Sequence, residues 1–299
     1  MDASMAIEKR VRFKSWWLPW ALVAPQLVIV LVFFFWPAGQ ALYQSVLQSD
    51  AFGTSTQYVG SENFVRLWND DTYLASFKTT AVFSVLVAGL GLSISLMLAV
   101  MADRIVKGSG LYRTLLIWPY AVAPAVAGVL WLFMFAPSIG IVSFWLRAVG
   151  IDWNHLLNGT HAMTLVVLAA VWKQISYNFL FFLAGLQSIP KSLIEAAAID
   201  GAGPWRRFWT VQFPLLTPTT FFLLVINIIY VFIETFAIID TATQGGPGQD
   251  TAVLVYKVYY DGFKALDLGG SAAQSVVLML ILVGLTVIQF RYVERRVHY

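Results

Sequence analysis

Residues 27–36 read Leu-Val-Ile-Val-Leu-Val-Phe-Phe-Phe-Trp, ten apolar side chains without a polar interruption. A barrel strand would alternate apolar and polar residues over about that length. An unbroken run instead reads as the core of a helix surrounded by hydrocarbon, where only a helix satisfies its own backbone. Extended to 17–36, the run reaches the roughly 20 residues that a helical crossing needs. Lys9, Arg10, Arg12 and Lys14 precede it. Its apolar core is too long for a secretory signal, and no small-x-small cleavage site follows Trp36 and Pro37, so it reads as an uncleaved first helix.

Five further runs of similar quality follow at about 79–102, 114–136, 163–187, 217–239 and 271–292. The composition agrees: of 299 residues, 59% are hydrophobic and only 12% charged, with a mean hydropathy of +0.73. Soluble domains carry about 25% charged residues. The class is therefore an all-α integral membrane protein with six transmembrane helices in one domain, and soluble enzymes and nucleic-acid binders are excluded. There is no cysteine, which removes disulfides, thiolate metal sites and cysteine nucleophiles.

The basic residues orient the chain. With the N-terminus inside, the inner segments hold those first four, Arg104, Lys107, Arg113, Lys191, Arg206, Arg207, Arg291, Arg295 and Arg296, thirteen in all. The outer segments hold five: Arg66, Lys78, Arg147, Lys257 and Lys264. This bias places both termini in the cytoplasm.

The inner loop at 188–216 is the most informative segment. After Pro190, Ser192 and Glu195 have the spacing of a capping box, which predicts a short helix. Gly201 and Gly203 end it, since glycine accepts a left-handed C-cap. Pro204 opens a second helical stretch as its first residue, and Pro214 and Pro218 mark re-entry into the membrane. Two short helices thus meet at a bend between two anchoring spans.

Glu195-Ala196-Ala197, with Asp200, Gly201 and Pro214 at their spacings, resembles the EAA motif of binding-protein-dependent ABC importer permeases. Val211 and Phe213 replace the usual isoleucine and leucine and keep apolar character. The resemblance implies a type I importer permease fold with the loop as a cytoplasmic coupling element, in the bacterial inner membrane. It implies a second related permease subunit as heterodimer partner, two copies of an ATP-binding subunit, a periplasmic substrate-binding protein, and no nucleic acid. Glu195, Ala196, Ala197, Asp200, Gly201 and Pro214 would meet the ATPase. Asn63, in a stretch like the family's first periplasmic segment, and Gly245, Gly246 and Pro247, in one like its last, would meet the binding protein. No Gly-x-x-x-x-Gly-Lys-Ser/Thr loop occurs in the chain. This chain is then no enzyme and carries no cofactor, and ATP and magnesium belong to the partner ATPase.

More narrowly, residues 118–127, 171–182 and 271–279 resemble membrane subunits of sn-glycerol-3-phosphate importers, which implies that substrate and related glycerophosphodiesters. A sugar or oligosaccharide is the alternative within the family. A secondary transporter would need coupling-ion sites and inverted repeats, and an intramembrane hydrolase a nucleophile and base within spans. Neither pattern is visible.

Two charges fall within spans, Lys173 and Glu234, and such residues are functional candidates. Lys173, Gln174, Tyr177 and Asn178 would line the substrate pathway. Asn227, Tyr230 and Glu234 recur at helical spacing, which predicts one shared face, and Lys173 is within reach of pairing with Glu234. The other reading of these groups is polar adhesion between helices. His155, His161 and His298 read as solvated rather than metal-ligating.

Overall fold

The computed structural model describes residues 16–50, 55–104 and 109–293. Five helices in it are long and apolar enough to cross a bilayer: Trp17–Gln44, Asp71–Asp103, Gly159–Ser188, Thr217–Glu234 and Leu268–Arg291. Several run past the expected limits. Lys78, expected in an outer loop, lies within the second of these helices. Of the residues used for orientation, Lys9, Arg10, Arg12, Lys14, Lys107, Arg295 and Arg296 lie outside the described residues, as does His298.

The third crossing corrects the expectation of one helix over 114–136. Gly110–Ala121 and Pro124–Met134 meet at 103°. Two prolines account for the break. Pro119 falls in a 3-10 turn, Trp118–Ala121, which ends in extended backbone at Val122. Ala123 is also extended (φ −60°, ψ 142°), as the residue before proline tends to be. Pro124 then starts the second half at a position where its missing N–H costs nothing.

The second and fourth spans pack along each other, and the second half of the third packs against Phe236–Ala242 at the end of the fifth. Two apolar clusters result. One, toward the outer end, joins Phe83, Val87, Leu165, Ile238, Ile239 and Tyr256. The other, toward the inner end, joins Ala99, Phe179, Phe182, Leu186, Leu216 and Leu223, and Ile194 of the inner loop packs against it. No residue of Trp17–Val30 is buried, so the first helix leaves its apolar surface to lipid or to another chain.

The outer side carries a small hairpin, Leu47–Ser49 paired antiparallel with Thr56–Tyr58, and short helices at Glu62–Trp68, Ile141–Ala148 and Leu254–Tyr259. An ionic cluster ties the segment around Glu62–Trp68 to the one around Leu254–Tyr259. Lys257, 7% exposed, pairs with Asp261 at 2.9 Å and with Asp70 at 3.5 Å, and Arg66 pairs with Asp267 at 2.7 Å.

The histidine expectation needs correction. His155 is buried at 2% exposure. His161 stacks on Trp153 at 4.6 Å, and its Nδ1 accepts the Asn154 N–H at 3.1 Å. His155 is thus enclosed and His161, half-buried, packs on an aromatic ring, so neither is the freely solvated imidazole expected.

Candidate functional site

Lys191–Ile199 forms the first helix of the inner loop and Pro204–Arg207 the second. Pro190 occupies the N-cap, and no side chain caps the end. Ser192 therefore sits inside the first turn, and the expected capping box does not form. The rigid φ of Pro190 takes over the start of the helix. At the other end, Ala202 N–H donates to Ala197 O at 3.0 Å and Gly201 N–H to Ala198 O at 3.1 Å. This is the paired closure of a Schellman turn. It requires Gly201 at φ +80°, a conformation that side chains resist, although the space around it is open.

This loop is held from one side only. Ile194 packs on the inner cluster, and Phe208, 7% exposed, packs its ring against Trp209 at 5.1 Å and Phe213 at 6.1 Å. Glu195, Ala196, Asp200, Gly201 and Pro214 are exposed and Ala197 is half-buried. Ile199 at 87% and Trp205 at 75% are uncovered as well. Two large uncovered apolar side chains beside the exposed carboxylate of Glu195, which has no ion pair among the described residues, make a surface suited to another protein. Sequence reasoning missed Ile199 and Trp205. Their signal was available, as apolar residues flanking the bend on a loop that otherwise faces the cytoplasm.

The intramembrane polar residues divide into two groups. Asn178 and Asn227 are fully buried and exchange amide hydrogen bonds: Asn178 Nδ2 donates to Asn227 Oδ1 at 3.1 Å, and Asn227 Nδ2 to Asn178 Oδ1 at 2.8 Å. Tyr230, 3% exposed, donates its hydroxyl to Ala170 O at 3.3 Å. These groups stitch the fifth span to the fourth. Gln174 is buried at 6% exposure. Tyr177 is half-buried and Glu234 exposed.

The single face expected for Asn227, Tyr230 and Glu234 is thus corrected. Asn227 and Tyr230 are buried against the fourth span, whereas Glu234, the last residue of the π-helical turn Tyr230–Glu234, is exposed. The Lys173–Glu234 pair is also absent: among the described residues no carboxylate lies within 4.0 Å of Lys173. Its Nζ instead donates to Tyr120 O at 3.3 Å and lies 5.5 Å from the centre of the Tyr120 ring.

Rings continue from that point. Tyr120 and Tyr177 are 6.0 Å apart, Tyr177 and Phe181 4.7 Å, and Phe181 and Phe222 5.2 Å. Tyr120 and Phe222 are exposed, so this aromatic row, which begins at the break in the third span, has an open side.

On the outer face, two of the expected contact residues are internal. Asn63 is 2% exposed, and its Nδ2 donates to Ser45 O at 2.9 Å and to Leu47 O at 2.8 Å. The amide is consumed in tying the end of the first helix to the hairpin. Gly245 is buried at φ +75°, and a Cβ there would fall 2.5 Å from the Tyr256 ring. Gly246 O accepts the Thr251 hydroxyl at 2.9 Å. Gly246 and Pro247 are half-buried, and Gln244, Gly248 and Gln249 are the exposed tips of that turn.

The reciprocal amide pair yields a quantitative expectation. Asn178→Leu or Asn227→Leu alone strands one buried amide and should cost about 1–2 kcal/mol. The double variant should cost less than the sum of the two. Unfolding of the detergent-solubilised chain in a double-variant cycle measures this, and strict additivity would show that the pair is not coupled.

Residues 91–299 match the family model described as the binding-protein-dependent transport system inner membrane component. The chain is 62% identical over 291 residues to the sn-glycerol-3-phosphate transport system permease protein UgpA of Rhizobium meliloti (strain 1021), covering 97% of this chain and 99% of that one. It is 61% identical over 290 residues to the protein of the same name from Yersinia pseudotuberculosis, at 97% and 99% coverage. Among solved structures, a chain of a bacterial ABC transporter involved in import of the acidic polysaccharide alginate superposes with a TM-score of 0.81. That match covers 93% of this chain and 96% of that chain at 22% identity, a likeness of fold.

Proposed function

Since this chain belongs to the family of binding-protein-dependent transport system inner membrane components, we propose that it is the permease subunit that carries sn-glycerol-3-phosphate inward. The observation that carries the substrate is identity above 60% along nearly the whole chain to permeases of that name. Related glycerophosphodiesters share the headgroup chemistry and follow the same route. The protein is a multi-pass component of the inner membrane and works with a substrate-binding protein in an ATP-driven importer.

In this reading a second, related permease subunit completes the pathway, and two ATP-binding subunits sit on the cytoplasmic side. This chain holds no cofactor, and ATP and magnesium stay with those subunits. The exposed bend at Glu195–Gly201, with Ile199 and Trp205, inserts into one ATP-binding subunit. Its attachment through Ile194 to the inner cluster transmits the motion to the fourth and fifth spans, a helix shift of the kind that packed interfaces permit. Pro214 sets the angle at which the chain returns to the membrane.

Along the pathway, Tyr177 and Glu234 face the space that the second permease closes, while Gln174, Asn178, Asn227 and Tyr230 act behind that wall by holding its helices together. The binding protein meets the outer turn at Gly246, Pro247 and the exposed residues beside them.

Uptake into vesicles containing the whole complex and its binding protein tests the substrate. Labelled glycerol-3-phosphate should accumulate in an ATP-dependent manner, and maltose should not. Uptake of maltose alone would replace this reading with a sugar importer.

A further inference from the structure

Lys173 is a cation in an unusual place. It is residue fifteen of the thirty-residue helix Gly159–Ser188, about 21 Å from the outer end at about 1.5 Å per residue, close to the middle of the crossing. It is 8% exposed. An ammonium has three N–H donors. Among the described residues it finds one acceptor, the Tyr120 carbonyl, together with the face of the Tyr120 ring. Intramembrane charges are costly and are normally matched by an opposite charge. Here a neutral oxygen and a ring serve instead, and two donors stay unfilled.

The resting acceptor is itself a consequence of the sequence. In a continuous helix the Tyr120 carbonyl would accept the N–H of residue 124. That residue is Pro124, which has none. The same proline starts the second half of the broken span. The carbonyl that holds Lys173 is thus the one released by the break, and Lys173 spans the hinge from the neighbouring helix.

We propose that Lys173 binds the phosphate group of the transported molecule, and that binding draws its ammonium off the Tyr120 carbonyl and unlatches the break in the third span. This deepens the permease reading and rests on its substrate. A phosphate monoester supplies the charge and several acceptor oxygens that the site lacks. The exposed Tyr120 and half-buried Tyr177 flank the position and offer hydroxyl and ring contacts to a small polyol. Among the described residues no carboxylate lies within 4.0 Å of Lys173, so the ammonium is not already neutralised by contact with one.

The test uses the whole complex in vesicles with saturating binding protein loaded with glycerol-3-phosphate, and reads substrate moved per ATP hydrolysed. Lys173→Gln should lower that ratio about tenfold, the scale of one hydrogen bond to a charged group, while stimulated ATP hydrolysis stays within about twofold. Lys173→Met, close in shape and free of a buried polar end, should behave in the same way. Lys173→Arg, which keeps the charge, should recover most of the ratio. An unchanged ratio in the uncharged variants overturns the proposal. So does a parallel fall of uptake and ATP hydrolysis in all three, which is the signature of packing damage. If the wild-type complex itself fails to move glycerol-3-phosphate, the substrate reading falls instead, and that arm is read separately.

Discussion

Glu195→Arg is expected to lower ATP-driven uptake about 100-fold, with the chain still folded and inserted. Glu195 makes no hydrogen bond or ion pair with the described residues, and its helix buries no residue of its own. The change therefore has little to break inside the chain. Its effect falls on the partner. If the carboxylate pairs with a cation in the ATP-binding subunit, loss of that pair costs about 2–5 kcal/mol, and reversal adds repulsion. At about 1.4 kcal/mol per tenfold, 100-fold lies near the lower end of this range. Co-purification of the ATP-binding subunit and uptake by the whole complex measure the two consequences. Normal uptake in the variant would remove the bend from the energy-transmitting path. Glu195→Gln, which keeps shape and hydrogen bonding, should fall between the two.

The largest effect on stability is expected at Gly128. This glycine lies in the second half of the third span, where Pro124–Met134 packs on Phe236–Ala242. A Cβ at Gly128 would lie 2.0 Å from Thr241 Oγ1 and 2.9 Å from the Ile238 carbonyl oxygen. Thr241 is itself engaged, donating to Ala237 O at 2.7 Å or Ala125 O at 3.2 Å. Gly128→Val must therefore separate the helices. Overpacking of this kind costs about 1–3 kcal/mol, and the upper end is expected because backbone stands in the way as well as side chain. Thermal unfolding in detergent should show the loss, and Thr241→Ala in the same chain should restore part of it by removing the nearest obstacle. A Gly128→Val protein as stable as the parent would mean that the two helices do not approach in this way.

Particular residues show why some of this architecture is legible in sequence and some is not. The apolar run at 27–36 and its five successors identify membrane helices because hydrocarbon imposes its demand on every residue in turn. The bend at Gly201 is equally local, since a left-handed residue and the two hydrogen bonds beside it involve neighbours only. The third span is not legible from length and hydropathy, which ignore two prolines. Each proline alone is tolerated in a crossing helix, and it is their spacing, with Ala123 extended between them, that turns the chain by 103°.

Side-chain partners were the least legible. Asn63, Gly245 and Asn227 are polar or turn-forming residues of the kind that meet ligands, yet each is consumed internally. Their partners lie 16 to 18, 11 and 49 residues away in sequence, and a single sequence does not state such distances in space. Lys173 shows the same limit from the other direction. Its position in a span was plain, whereas its acceptor on a broken helix 53 residues earlier was not.

What the chain alone determined was the solvent it inhabits and the glycine at which its inner loop bends, because those follow from transfer energies and backbone sterics acting residue by residue. What only the folded arrangement decided was which polar groups are spent on holding helices together and which are left for a partner or a passing ligand. That division depends on where the helices meet, and a missing N–H at Pro124 is enough to redirect it.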